Sequence, residues 1–353
     1  GRNSVLYSTL AASGNGISWD LQQQDSLNNL YQGEYVRNDT WKFTLSSYLN
    51  HKFSARHTNR SGIIMNQVFY DVLIQNAEKP GDAMTTYANS NGNSSLIQAY
   101  SQSKININDR LTLNLGLHSQ YFTLNDHYTI EPRAALSWKF RPNQSLSFGY
   151  GNHSQLEMIG IYLAEQQGPE GSYMPNKNLD FSRAHHLVIA YDLSINENMR
   201  FKAETYYQQL YNIPVIDQTS FSLLNMEQEW FINDALVNDG TGRNYGIDLT
   251  LERYLKKGFF YLVTASLFDS KYIGGDEIER NSRFNKGYVA NIMAGKEWQV
   301  GKRNKSNVFG VSGRLNFSGG DRISPVDMDA SYEAQDVVYD LSLIHISEPT
   351  RQL

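Results

Sequence analysis

Long and short joins alternate along this chain with a parity that few folds maintain. From about residue 40, alternating segments of about ten to fifteen residues follow one another. Short joins fall at Ser54–Asn59, Ile107–Asp109, Arg141–Gln144, Asn196–Asn198, Lys256–Gly258 and Gly301–Lys305. Between them lie long joins at Gln75–Asn93, Glu157–Ser182, Ile213–Thr241, Ile273–Ser282 and from Gly320 onward, with one brief exception at Asn125–His127. Tight turns at one end of the strands and long loops at the other describe a membrane β-barrel.

Each segment has two faces of different character. In Arg110–Leu124 one face reads Leu111, Leu113, Leu115, Leu117, and the other Thr112, Asn114, Gly116, His118, Gln120. Tyr245–Glu252 divides into Tyr245, Ile247, Leu249, Leu251 against Gly246, Asp248, Thr250, Glu252. Asn307–Ser318 repeats the pattern with Phe309, Val311, Leu315, Phe317 against Ser312, Arg314, Asn316, Ser318. Period two with one apolar face marks a strand between two solvents. Alternation alone fits a soluble sandwich as well as a barrel with lipid outside and a wet lumen.

Aromatic placement separates the two. Trp138, Phe140, Tyr254, Phe259 and Trp298 sit beside short turns, while Tyr121, Tyr150, Tyr207, Phe268, Tyr272 and Tyr288 sit at the opposite strand ends. Two aromatic belts suit the two interfaces of a bilayer, although aromatic residues also favour strands in general. The expected fold is all-β: a transmembrane antiparallel up-and-down β-barrel wall of about twelve strands.

Composition agrees. With 40% apolar residues and a mean hydropathy of −0.50, nothing approaches the ~18 consecutive apolar residues of a spanning helix. A net charge of −5 without a basic block argues against nucleic acid as a partner. The absence of cysteine removes disulfides and thiolate metal sites. There is no GxSxG, HExxH or Walker-type loop, so no enzyme, cofactor or resident metal is expected. His185 and His186 point to opposite faces and cannot share one metal ion. Gly274–Glu279 lacks the spaced Asp/Asn pattern of a calcium loop and reads as a solvated acidic turn.

The two ends stand apart. The chain starts at Gly1 without Met or a signal peptide, and is expected to begin inside a longer protein. Leu341–Arg351 reads LSLIHISEPTR, which breaks the strand pattern and resembles an in-frame translation of a sequencing adapter. Residues 341–353 are therefore expected to be a non-native tail, with a partial barrel over 1–340.

Several stretches, taken in order, carry a family resemblance. They are Glu131-Pro132-Arg133 opening a strand that ends Leu136-Ser137-Trp138-Lys139-Phe140; Pro175-Asn176-Lys177-Asn178-Leu179-Asp180-Phe181-Ser182; Tyr206–Ile213; and Tyr245–Glu252. Together they resemble the middle-to-late barrel of a TonB-dependent outer-membrane receptor of Gram-negative bacteria. The second stretch departs from the usual form, with Phe181-Ser182 where Pro-Glu is common and His186 where an acidic residue often follows. The resemblance implies a larger barrel of about 22 strands, plugged by an N-terminal domain. It also implies import of a scarce, bulky ligand driven through TonB: a siderophore, haem, a vitamin or an oligosaccharide. Its partners would be outer-membrane lipid, its own plug, the TonB complex and the ligand. A partial barrel leaves two unpaired edges and is expected neither to insert nor to transport alone. A passive porin-type channel and a soluble carbohydrate-binding β-protein are the alternatives.

Within that reading, the long loops are expected to contact ligand through Trp19, Tyr162, Tyr173, Asn176 and Trp230, with Asp20, Glu165, Phe221 and Asp234 nearby. Trp19 and Asp20 are assigned to an N-terminal loop. The lumen-facing set is Arg133, His186, Glu204, Asp248, Glu252 and Arg314, together with Glu131, Lys139, Arg200 and Lys202. Their mixed signs suit hydrogen bonding to a plug or simple lumen solvation.

Overall fold

Thirteen strands follow one another across a single antiparallel sheet, each hydrogen-bonded to the next along the path. The structure, a computed structural model, describes residues 3–25, 27–77, 82–226, 231–301, 307–320, 322, 326 and 328–334. The strands are β1 (Ser4–Gln24), β2 (Leu30–Lys52), β3 (His57–Asn76), β4 (Thr85–Asn106), β5 (Leu111–Phe122), β6 (His127–Arg141) and β7 (Gln144–Gln155). A short helix α1 (Ile159–Tyr162) and a hairpin of β8 (Gln166–Gly168) and β9 (Gly171–Tyr173) fill the next loop. The wall resumes with β10 (Ser182–Asn196), β11 (Met199–Val215), β12 (Val237–Lys256) and β13 (Phe259–Ile273). It continues through the short β14 (Glu279–Asn281), β15 (Tyr288–Val300) and β16 (Asn307–Ser318), before helix α2 (Met328–Ala334). Counting β14, which pairs only with β13, the sheet has 14 strands.

All of the strands expected from residue 40 onward are present, as β2–β7, β10–β13, β15 and β16. Two expected loops are corrected. The N-terminal stretch is not a loop but strand β1, paired with β2 from Ser4↔His51 to Gln24↔Leu30. Most of Gln75–Asn93 is strand as well, because β3 and β4 continue pairing as far as Asn76↔Thr85. Both stretches are rich in Ser, Asn, Gln and Gly and look like loop by composition. Their backbone groups nonetheless gain partners beside apolar neighbours across the ladder, such as Trp19↔Val36 and Ala88↔Ile74. Strand β2 has 23 residues, whereas a membrane crossing takes about 9–11. At about 3.3 Å per residue it spans roughly 75 Å, so β1–β4 stand well beyond a hydrocarbon core of about 30 Å.

The tight ends follow turn chemistry. Lys257 (φ 55°) and Gly258 (φ 71°) both take positive φ between Lys256 and Phe259, the mirror-image turn whose twist matches paired strands. A Cβ on Gly258 would lie 2.1 Å from the Glu297 carbonyl oxygen. Only glycine permits that approach.

Exposure confirms two belts of rings on the apolar face. Trp138, Tyr254, Phe259, Trp298 and Phe309 are exposed near the turns, and Tyr121, Tyr128, Tyr150, Tyr207, Tyr245 and Tyr288 toward the loops. Phe268 and Tyr272 do not join the second belt. They alternate with exposed Leu267, so they face the other side, where Tyr272 is fully buried.

Candidate functional site

The loop ends fold over one face of the sheet, which defines it as the inner face. Two apolar clusters form there. Phe122 packs with Ile161, Tyr162, Leu179, Phe181, Ile232 and Leu236. Val36, Tyr70, Val72, Ile74 and Ala88 pack with Leu163. Consecutive residues Tyr162 and Leu163 thus insert into different clusters, and the loop after β7 straps β5 to β2–β4. The inner wall is apolar at its loop end and polar below.

Glu131 is the most enclosed charge on that wall, with its side chain 1% exposed. His118 Nδ1 lies 2.9 Å away, Gln120 Nε2 donates at 2.8 Å, Thr129 Oγ1 at 2.9 Å and Arg133 Nη2 at 2.7 Å. Ser154 Oγ also donates to it. Strand geometry assembles the set: Thr129, Glu131 and Arg133 share one face of β6, and His118 sits opposite Glu131. Buried carboxylates persist where donors saturate them, as here.

Below this knot, a concavity of about 580 Å³ is lined by Tyr100, Gln102, His118, Arg133, His153 and His186, among others. The His153 and His186 rings stand 4.8 Å apart, and His186 meets Gln208. A relay continues from Gln208 Oε1 to Asn244 Nδ2 (2.6 Å), from Asn244 Oδ1 to Ser270 Oγ (2.6 Å), and on to Ser282 Oγ (2.6 Å). Closer to the turns, Arg200 pairs with Asp192, and Lys202 with Glu204 at 2.5 Å. Glu204 stands opposite Asp248, and Arg200 opposite Glu252. Arg314 Nε donates to Asn316 at 3.0 Å.

The strap is pinned by polar contacts of its own. Glu165 N donates to the Tyr87 carbonyl at 2.7 Å, and its Oε1 accepts from Asn89 N at 3.1 Å, so one residue occupies the open edge of β4. Asn176 bridges to the next loop, donating to the Asp234 carbonyl (2.9 Å) and accepting from Leu236 N (2.8 Å). Ser182 Oγ donates to Glu157, whose carboxyl is pushed up by burial. Burial likewise pushes the Tyr162 hydroxyl up. In the loop before β14, Arg280 grips both Asp276 oxygens at 2.8 and 2.7 Å and holds that carboxyl below its usual range.

The residues assigned to ligand contact divide. Tyr173 is exposed beside Gln166, to which its hydroxyl donates at 3.1 Å. Tyr162 and Asn176 are fully buried and hold the loops together, because closing a long loop over an apolar wall consumes its own anchors. Trp19 lies on β1, not in a loop, and packs against the Val36 cluster, while Asp20 meets Gln32 across the ladder. Trp230 lies outside the described residues. Arg133, His186, Glu204, Asp248, Glu252 and Arg314 all fall on the inner face, spread across β6, β10, β11, β12 and β16. Ser154 and Thr129 are not marked in the sequence, since an isolated Ser or Thr in a strand carries no signal of convergence. The acidic turn at Gly274–Glu279 is not simply solvated, given the Arg280 grip. Among the described residues, no group of three His, Asp or Glu side chains is placed to hold a metal.

A family model described as the β-barrel of TonB-dependent receptor-like proteins matches residues 2–343. The chain belongs to the TonB-dependent receptor family. This places its wall in the bacterial outer membrane. Solved structures share the fold at low identity. FpvA of Pseudomonas aeruginosa, in complex with iron and a heterologous pyoverdine, matches at TM-score 0.65 and 12% identity, over 93% of this chain and 45% of that one. The Escherichia coli outer membrane transporter YddB matches at 0.60 and 11%, over 96% and 52%. The P. aeruginosa ferric enterobactin receptor PfeA matches at 0.58 and 13%, over 91% and 47%. The chain thus spans about half the length of these relatives. A search of curated protein sequences finds no match.

Proposed function

We propose that this chain is part of the barrel of an energy-coupled importer for a scarce, bulky ligand, with a ferric siderophore as the first class to test. The observation that carries the reading is the inner wall. A polar, hydrogen-bonded face runs from Glu131 through His186 to Ser282 beneath loops that fold inward at one end. A covered polar wall of this kind suits a surface that must hold a plug and release it. The ferric pyoverdine complex and the ferric enterobactin receptor among its fold relatives support the choice of ligand class. In this reading a plug domain docks on the polar face, TonB acts through that plug, and no bond-making chemistry takes place. The two exposed edge strands β1 and β16 would meet further strands of the same barrel.

Uptake of radiolabelled ferric siderophores by cells expressing the intact gene tests the proposal. Accumulation is expected with a functional TonB complex and is expected to vanish without it. Equal uptake in both strains, with steady single-channel conductance in planar bilayers, would make the protein a passive channel instead.

A further inference from the structure

The wall has a built-in gap between β6 and β7. The β5–β6 ladder runs up to Phe122↔His127 and the β7–β10 ladder up to Gln155↔Ser182, but the β6–β7 ladder stops at Arg133↔Gly151. Pro132 is the next residue. Backbone groups of odd-numbered residues in β6 turn toward β5: Lys139 N donates to the Arg110 carbonyl, and the Thr129 carbonyl accepts from Ser119 Oγ. Even-numbered ones therefore turn toward β7, and there Pro132 has no N–H to give. The tip of β7 leaves the plane on the inner side, where Ser154 meets Gln120, Thr129 and Glu131.

The vacated place opens on the membrane side as a cleft of about 490 Å³, lined by Asp126, His127, Tyr128, Ile130, Asp180 and Arg183. Arg183 reaches across it, with Nη2 3.1 Å from Asp180 and 3.4 Å from the Tyr128 carbonyl. His127 Nδ1 lies 3.4 Å from the same Asp180. Tyr128 and Ile130 are 65% and 59% exposed on the outward face, and Ile130 has no ladder partner on the cleft side. At the membrane interface such backbone groups are satisfied by water or by a polar occupant. An occupant that brings hydrogen-bonding groups from the membrane side fits the cleft.

We propose that this cleft binds the saccharide headgroup of an outer-leaflet glycolipid. Asp126 accepts from the Tyr121 hydroxyl, and Asp180 from Phe181 N, Arg183 and Asn212. The lone pairs and N–H groups left over on these carboxylates, the guanidinium and the imidazole offer acceptors and donors together, which matches hydroxyls better than a bare phosphate. The exposed Tyr128 ring supplies a stacking face within the loop-side belt, and Ile130 below it meets acyl chain. The loop end of the wall, where the cleft opens, is the end that faces the glycolipid leaflet.

The test is native mass spectrometry of the intact receptor, delipidated in mild detergent. It is titrated separately with rough lipopolysaccharide, phosphatidylglycerol and the free core oligosaccharide. One lipopolysaccharide per barrel is expected. Tyr128→Ala and Arg183→Ala should each weaken it at least tenfold, while Leu187→Ala, outward on β10 but away from the cleft, should leave it unchanged. Tyr128 is exposed, so its variant folds even if the Arg183 variant does not; heat-modifiable gel migration checks both. Equal binding by wild type and Tyr128→Ala overturns the proposal, as does equal occupancy by phosphatidylglycerol. No step depends on TonB or on the imported ligand, so this result stands apart from the fate of the importer reading.

Discussion

Glu131 offers the sharpest test of how the inner wall is held. Replacing it with Leu removes the acceptor for Gln120, Thr129, Arg133 and Ser154 and the partner of His118. Hydrogen bonds to a charged group contribute about 1.5–3 kcal/mol each, and breaking a buried ion pair from one side costs about 3–5 kcal/mol. The sum is not additive. Gln120 keeps the Ser154 carbonyl and hydroxyl, and Arg133 is 42% exposed and regains water. The net loss for Glu131→Leu is therefore about 3 kcal/mol. Glu131→Gln keeps one acceptor oxygen but turns an NH₂ toward the donors, and should lose about 1–2 kcal/mol. Guanidinium unfolding of the intact receptor in micelles, followed by tryptophan fluorescence, measures both. If Glu131→Leu lies within about 0.5 kcal/mol of wild type, or matches Glu131→Gln, the saturated knot contributes nothing and the reasoning fails.

Other parts of the molecule are as accessible to experiment. Burial raises the Glu157 carboxyl above its free value of 4.5, so the folded strap binds the proton more tightly. Its contribution is fully present at low pH and is lost as pH rises through the raised value. Protection over 156–165, corrected for intrinsic exchange, should therefore fall from pH 5 to pH 8, and Glu157→Gln should flatten that fall; an unchanged slope refutes it. The Asp276–Arg280 pair runs the other way, since a lowered carboxyl loses its stabilisation as pH falls through the folded value. Protection of the β13–β14 loop, corrected for intrinsic exchange, should fall in the wild type as pH drops below the free carboxylate range, and Arg280→Gln should remove that pH dependence. Tyr162→Ala empties a fully buried site and should cost the strap about 3–5 kcal/mol. Rapid proteolytic cleavage within 156–181 would report it, with Tyr162→Phe protected nearly as well as wild type. Gly258→Ala should slow refolding and lower stability by at least about 1 kcal/mol, because both the positive φ and the Glu297 carbonyl oppose a Cβ. Stability equal to wild type would mean the turn relaxes freely.

Much of the wall was legible before any coordinates. Period-two alternation assigns faces residue by residue, and Arg133, His186, Glu204, Asp248, Glu252 and Arg314 fall on the inner face the pattern requires. Phe268 and Tyr272 show the limit of the belt argument. Ring type and distance from a turn suggested the interface, but their even positions against Leu267 put them inside. The loops defeated sequence reasoning for another reason. Tyr162 and Asn176 look like exposed recognition residues because nothing local says that their loop turns inward. Strand β1 and the loop-side end of β4 are hidden by composition, since Ser, Asn and Gln side chains resemble loop while their backbones continue a ladder.

The sequence by itself determined which residues share a face, where the tight turns fall, and which family the strand order resembles. Those properties depend on neighbours a few positions apart and on the fixed period of an extended backbone. Only the tertiary structure decided that Tyr162 and Leu163 tie β5 to β2–β4, that five donors converge on Glu131, and that the β6–β7 seam opens beyond Pro132. Each of these joins residues from different strands or loops. Their meeting depends on register and loop closure across the whole sheet, which no local pattern encodes.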